Sequence, residues 1–259
     1  MATFERAFSD AEQAADATMR AATKVVSAAK QVTKAAKDGD IARLRKQTEQ
    51  LATTGNALRQ DVENARSAWP FSPEDEVDYL RERYAAEVVT LGKENGLSIR
   101  IQDQALVAYP SVIRVLPSEK AVKINRTKIT GLRPSRLVSI LKLAQSKKSR
   151  TNSQAFLDTL HAAYRLLIGS DPAGKPVLLT RVYKALTLLP GAGNEYSKDD
   201  FARDLLLLDR SGLRDAKAGS RVTFPASTGT KGSKDTFACV TPDGEVVTFY
   251  GIAFTEGAS

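Results

Sequence analysis

Apolar positions recur at alternating intervals of four and three over the first seventy residues. Phe4, Phe8, Ala11, Ala15, Thr18, Ala22, Val25, Ala29, Val32 and Ala36 keep this spacing unbroken, and it restarts after Asp38-Gly39-Asp40. The second run is Ile41, Leu44, Thr48, Leu51, Gly55, Leu58, Val62, Ala65 and Trp69. Two heptad stripes joined by an Asp-Gly-Asp turn predict an antiparallel helical hairpin over residues 1–70. Each arm spans roughly 40–50 Å at 1.5 Å per residue. The seam of the first arm is mostly Ala, which buries little apolar area. The hairpin therefore gains from further cover: a third helix, a second copy or a partner's coiled coil.

The next segment, Pro73–Asn95, reads as one helix. Ser72 is its N-cap, Pro73 takes the first turn, and Glu74, Asp75 and Glu76 face the positive end of the dipole. Gly96 stops it. The period then shortens. Leu97–Gln102 and Ala105–Tyr109 are predicted strands, and Val112–Leu116 with Ala121–Ile129 forms a hairpin around Pro117-Ser118. A helix follows from Pro134 to about Gln145. The polar Ser149–Ser153 stretch is the best linker. Three helices are then expected: Ser153–Ile168, Pro176–Leu189, and Ser197–Ser211 stopped by Gly212. Arg221–Pro225, Thr236–Thr241 and Glu245–Phe254 read as strands, the last two joined by Pro242-Asp243-Gly244. Between the first two lies Ala226–Asp235, rich in Gly, Ser and Thr.

These elements make an α+β chain, predominantly helical, in three segments. Residues 1–70 form the antiparallel helical hairpin, coiled-coil-like. Residues 71–150 form a central strand-helix module: a helix, then a basic β-ribbon and helix. Residues 151–259 form a C-terminal winged-helix-like domain, since three helices followed by a β-ribbon is that order.

Charge changes the picture most in the centre. Eleven Lys and Arg oppose one acid, Glu119, between Val112 and Arg150, so this stretch carries +10 while the whole chain carries +8. A charge so concentrated favours a polyanion or an acidic protein surface as partner. The candidate nucleic-acid-binding residues are Arg114, Lys120, Lys123, Arg126, Lys128, Arg133, Arg136, Lys142, Lys147 and Lys148. About five of them on phosphates would give a log–log salt slope near −4 to −5. The segment holds no Phe, Tyr or Trp, which disfavours base stacking on single strands and favours non-specific duplex DNA. The predicted third helix of the C-terminal domain carries Asp199, Asp200, Asp204 and Asp209 against Lys198, Arg203 and Arg210. An acidic helix does not suit a phosphate-lined groove, so that domain reads as a docking or dimerisation module.

Catalytic chemistry finds no foothold. His161 is the sole histidine and lies on an amphipathic helix, where a core or boundary role outweighs that of a base. Cys239, the sole cysteine, falls in an apolar strand as an inert thiol and excludes an internal disulfide. No Gly-x-Ser-x-Gly turn and no phosphate-binding Gly-rich loop occurs; Gly169–Lys175 lacks the spacing and the hydroxyl. Acidic pairs such as Asp199-Asp200 read as helix N-terminal charges before metal ligands. No catalytic residue, metal or cofactor is assigned. The N-terminus has no apolar h-region, no apolar run reaches ~20 residues, and cytoplasmic residence without membrane contact follows.

The sequence therefore points to a non-enzymatic accessory subunit or adaptor. Its basic centre holds a nucleic-acid backbone, and its two ends contact proteins by self-association or through a partner's coiled coil. The rival is an assembly or scaffold protein whose cations meet an acidic partner without nucleic acid. A winged-helix transcriptional repressor ranks below both, and an enzyme last.

Overall fold

The computed structural model describes residues 2–147, 152–225 and 236–256. The fold is α+β and predominantly helical, with 59% of the described residues in helix against 17% in strand. The chain divides into two compact units. One comprises residues 1–87, 117–120 and 131–137, and the other residues 88–116, 121–130 and 138–259. The division does not follow the segment limits at 70 and 150, because two helices and a short turn are shared out between the units.

The first unit is built on the helical hairpin. Helix α1 spans Phe4–Asp38 and helix α2 spans Ile41–Ser67. Gly39 ends α1 at φ 72°, with its N–H on the carbonyls of Ala35 and Ala36. Asp40 then caps α2 by accepting from the Arg43 N–H. A single glycine in the left-handed region thus reverses the chain at no steric cost.

Half of each predicted stripe lies in the seam and half lies beside it. Ala7, Ala21, Ala28 and Ala35 are buried on α1, with Thr18, Val25 and Val32 half-buried. Ala15 and Ala36 are exposed. Ala-Ala dipeptides recur at 14–15, 21–22, 28–29 and 35–36, and the seam takes the first Ala of each. On α2 the seam keeps Leu44, Leu51 and Leu58, while Ile41 and Val62 are exposed. The Thr18 hydroxyl reaches across to the Asp61 carbonyl at 3.1 Å.

The open end of the hairpin is closed by aromatic rings. Phe4 is buried, stacked on Tyr79 at 4.3 Å, and flanked by Phe8, Trp69 and Phe71. Helix α3, Pro73–Glu82, supplies Tyr79; Ser72 and Asp75 form its capping box as the sequence indicated. The predicted single helix over Pro73–Asn95 is two: α4, Tyr84–Glu94, restarts after Arg83, whose φ of −121° breaks the helical path. Residues 131–137 hold to α1 through Glu5, which accepts from the Ser135 N–H at 2.8 Å and from Arg133. They open helix α5, Pro134–Ser146.

The second unit contains a five-stranded antiparallel meander in sequential order: β1 Arg100–Gln102, β2 Ala105–Ala108, β3 Ser111–Leu116, β4 Ala121–Ile124 and β5 Thr127–Ile129. The strand expected over Ala121–Ile129 is folded in two at Asn125, which takes φ 50°. Its N–H gives to the Val112 carbonyl and its side chain accepts from the Val112 N–H, so one residue pins the turn to β3. One sheet face buries Leu106, Ile113, Val122 and Ile124. Gly92 in α4 is needed nearby, because a Cβ there would come within 2.4 Å of the Ile99 side chain.

The rest of the unit runs α6 (Ser153–Ile168), β6 (Val177–Leu178), α7 (Leu179–Leu186), α8 (Ala192–Glu195), α9 (Lys198–Ser211), β7 (Ser220–Thr223), β8 (Phe237–Val240), β9 (Val246–Phe249) and β10 (Gly251–Glu256). The helix expected over Pro176–Leu189 is a two-residue strand and a shorter helix. The strand expected over Glu245–Phe254 is cut in two at Tyr250, between β9 and β10. Strands β6, β10 and β7 form one sheet in that order, and β8 with β9 a separate hairpin. The linker residues 149–151, and the Gly-rich stretch 226–235 with Lys231 and Lys234, lie outside the described residues. Leu157, Leu160, Tyr164, Val182, Phe201, Leu205 and Phe254 centre the core.

Candidate nucleic-acid interface

The predicted basic residues fall into three groups. Lys120, Arg133 and Arg136 belong to the first unit; Arg114, Lys123, Arg126, Lys128, Lys142 and Lys147 belong to the second. Lys148 lies outside the described residues.

Several of these cations are held by the protein itself. Lys120 pairs with Glu76. Arg133 pairs with Glu5 at 2.9 Å and with Glu12 at 2.5 Å. Lys147 pairs with Asp200 at 2.6 Å. Arg126 gives a hydrogen bond to the Thr236 carbonyl and sits 5.1 Å from the centre of the Phe237 ring. That geometry is a cation–π contact, closing the corner between the β4–β5 turn and β8.

The sheet gathers three others. In the antiparallel register Arg114 of β3 lies opposite Lys123 of β4, and Lys123 lies opposite Lys128 of β5. All three are exposed and share one face, the one opposite Ile113, Val122 and Ile124. The alternation of Val122, Lys123 and Ile124 puts the central cation there. Directly opposed like charges repel across a strand pair, and the register sets Lys123 between two such neighbours. Arg100 on β1 occupies the same face, since it pairs with Val107 and Val107 with Val112. It lies outside the 112–150 window and has no charged sequence neighbour, so only the register reveals it. Its guanidinium gives a hydrogen bond to the Asp243 carbonyl at 2.8 Å.

Helix α9 is mostly buried, with Lys198, Leu207, Arg210 and Ser211 left exposed. Phe201 through Leu206 and Leu208 are all buried, including Arg203 and Asp204. Asp200 caps the helix with Ser197 and receives Lys147; Arg203 gives to the Lys147 carbonyl at 2.6 Å, and Tyr196 gives to Asp204 at 2.8 Å. Two of the four acids noted in the sequence, Asp200 and Asp204, are thus buried. Burial pushes the Asp200 carboxyl up, but the bonds from Lys147 and Ser197 outweigh it and hold it below its ordinary value.

The remaining chemical candidates are structural. His161 is half-buried and edge-on to Phe254, 4.9 Å between ring centres. Burial and the nearby Arg165 lower its pKa, against the pull of Asp158. The Cys239 thiol is buried, faces the Pro110 carbonyl and is pushed up to about 12 by desolvation. Among the described residues no three His, Cys, Asp or Glu gather as a metal site, and no helix is long and apolar enough to cross a membrane. No family model, no curated protein and no solved structure matches the chain.

Proposed function

We propose that this chain is a non-enzymatic, nucleic-acid-associated adaptor or accessory subunit of the cytoplasm. The row Arg114–Lys123–Lys128 meets the phosphate backbone of duplex DNA without reading sequence. The helical hairpin and the C-terminal segment make the protein contacts. The single observation that carries this reading is the cross-strand register of three exposed cations on one sheet face. A phosphate lying over the row would meet the positive charge that the register concentrates there.

The winged-helix reading of the C-terminal segment draws support from its strand order. A short strand follows its first helix, and that strand pairs with the last strand, which pairs in turn with the one after α9. Burial of most of α9 favours docking over operator reading, because a recognition helix must present a free face to a groove. The rival, an assembly protein with an acidic partner, draws on the carboxylates that Lys120, Arg133 and Lys147 already hold.

A salt titration with random-sequence duplex DNA separates the two. Two or three phosphates contacted by the row give a log–log slope of about −2 to −3, shallower than the ten-residue strip implied. Reversing Arg114, Lys123 and Lys128 to Glu abolishes binding across all sequences alike. Absence of duplex binding at about 50 mM salt refutes the reading and leaves the acidic-partner alternative.

A further inference from the structure

The apolar residues that the hairpin seam does not use form a stripe of their own. Phe8 and Trp69 meet at 4.8 Å at the open end of the hairpin, on one flank. One and more heptads along α1 from Phe8 come Ala15, Ala22 and Ala29, interleaved with Met19 and Val26. Met19 is 67% exposed and Val26 55%. Their spacing again alternates four and three, the signature of a helix that packs on two neighbours at once. The other flank is polar. There Arg43 gives a hydrogen bond to Gln31, and a groove of about 210 Å³ is rimmed by Arg20, Lys24 and Asp61.

We infer that a second copy of this chain covers the stripe, its α1 running antiparallel to the first about a two-fold axis between Ala22 and Val26. The inference rests on the reading that the hairpin makes protein contacts, and it names the partner and the face. Two features of α1 select this occupant. The first is size. Under that axis Met19 falls opposite Ala29 of the partner subunit and Val26 opposite the partner's Ala22, large against small at the two central levels.

The second feature is charge. From Phe4 to Asp16 the helix carries Glu5, Asp10, Glu12 and Asp16 against Arg6; from Ala17 to Lys37 it carries five bases and no acid. Glu5 and Glu12 are engaged by Arg133 and Asp10 by Arg6, so reversal of direction matches Asp16 to the partner's basic half. Asp16 and Lys30, both exposed and flanking the stripe, become neighbours across the axis. The helix dipole does not account for the asymmetry, because its influence is confined to the first and last turns and Asp16 lies three turns in. Helix α2 offers a poorer seat: the heptad positions that Met19 and Val26 occupy on α1 are filled by Arg45, Ala52, Arg59 and Arg66.

Sedimentation equilibrium of the full chain across roughly 1–100 μM tests the pairing. The wild type is a dimer. Met19→Glu with Val26→Glu, both at exposed positions, makes it a monomer of unchanged far-UV helicity. Asp16→Lys alone and Lys30→Glu alone each weaken the dimer about tenfold, and the double exchange D16K/K30E restores it. A monomeric wild type, or a dimer untouched by the Met19 and Val26 changes, overturns the inference. A dimer that the double exchange fails to restore overturns it too, in favour of α1 packing on the partner's α2. None of these results bears on duplex affinity, which reads Arg114, Lys123 and Lys128 instead.

Discussion

Removing the central cation of the sheet row should stabilise the protein while weakening its grip on DNA. Lys123 faces Arg114 on one side and Lys128 on the other, all three exposed. Each directly opposed like pair costs about 0.2–1 kcal/mol, so Lys123→Gln, similar in length and uncharged, should gain about 0.4–2 kcal/mol. The buried Cys239 thiol in the same unit supplies the assay. Its labelling by a thiol reagent requires opening, and a gain of this size slows labelling by about two- to thirtyfold. The difference between wild type and variant should shrink as salt rises, because exposed charges are screened. The same variant should bind duplex DNA with a salt slope shallower by about 1. Labelling as fast in Lys123→Gln as in the wild type, at low salt, would refute the claim that Lys123 is repelled by its two neighbours.

Three further outcomes follow from the structure. Glu5 and Asp200 are both held below their ordinary values of 4.5 and 3.8; burial acts upward on each, and hydrogen bonds from Ser135 and Arg133, or from Lys147 and Ser197, prevail. Their contribution is therefore complete above about pH 4.5 and is lost as pH falls through the lower folded values. Asp200→Ala should cost about 2–4 kcal/mol in urea unfolding at pH 7, since it removes a helix cap and a partner of the buried Arg203, and the penalty should narrow in acid. Phe4→Ala should cost about 3–5 kcal/mol, read from the fluorescence of Trp69, the sole tryptophan, whose ring lies 5.5 Å from Phe4. The Cys239 thiol, raised to about 12, should stay unlabelled at pH 8 until the second unit opens, and then react at the rate of a free cysteine.

Local chemistry made much of the architecture legible. Asp38-Gly39-Asp40 announced the reversal between α1 and α2, because only glycine takes the left-handed cap cheaply. Ser72, Asn152 and Ser197 mark helix starts by the same kind of short-range hydrogen bonding. Where the reading slipped, the missing information was long-range. Arg83 breaks a helix that periodicity alone continues, and Asn125 folds a strand whose alternation of apolar and polar residues gives no hint of a corner. Periodicity read a single apolar stripe on α1 and merged seam with flank, since the Ala-Ala dipeptides offer both registers the same side chain.

The charge of the central segment, by contrast, is a property of the sequence alone: eleven bases against one acid hold at any conformation. Which of them remain on open surface is decided by the fold. Glu76, Glu5, Glu12 and Asp200 come from 44, 128, 121 and 53 residues away to take up Lys120, Arg133 and Lys147. Strand register alone lines up Arg114, Lys123 and Lys128, because a period of two sends alternate residues to opposite faces and pairing chooses their neighbours. Helix α9 shows the converse: of its four acids, tertiary packing buries Asp200 as part of the cap and Asp204 as the acceptor from Tyr196. Sequence sets how much charge the chain carries and where its helices begin and end; the closure of distant contacts, worth more than any local preference, determines which charges face solvent.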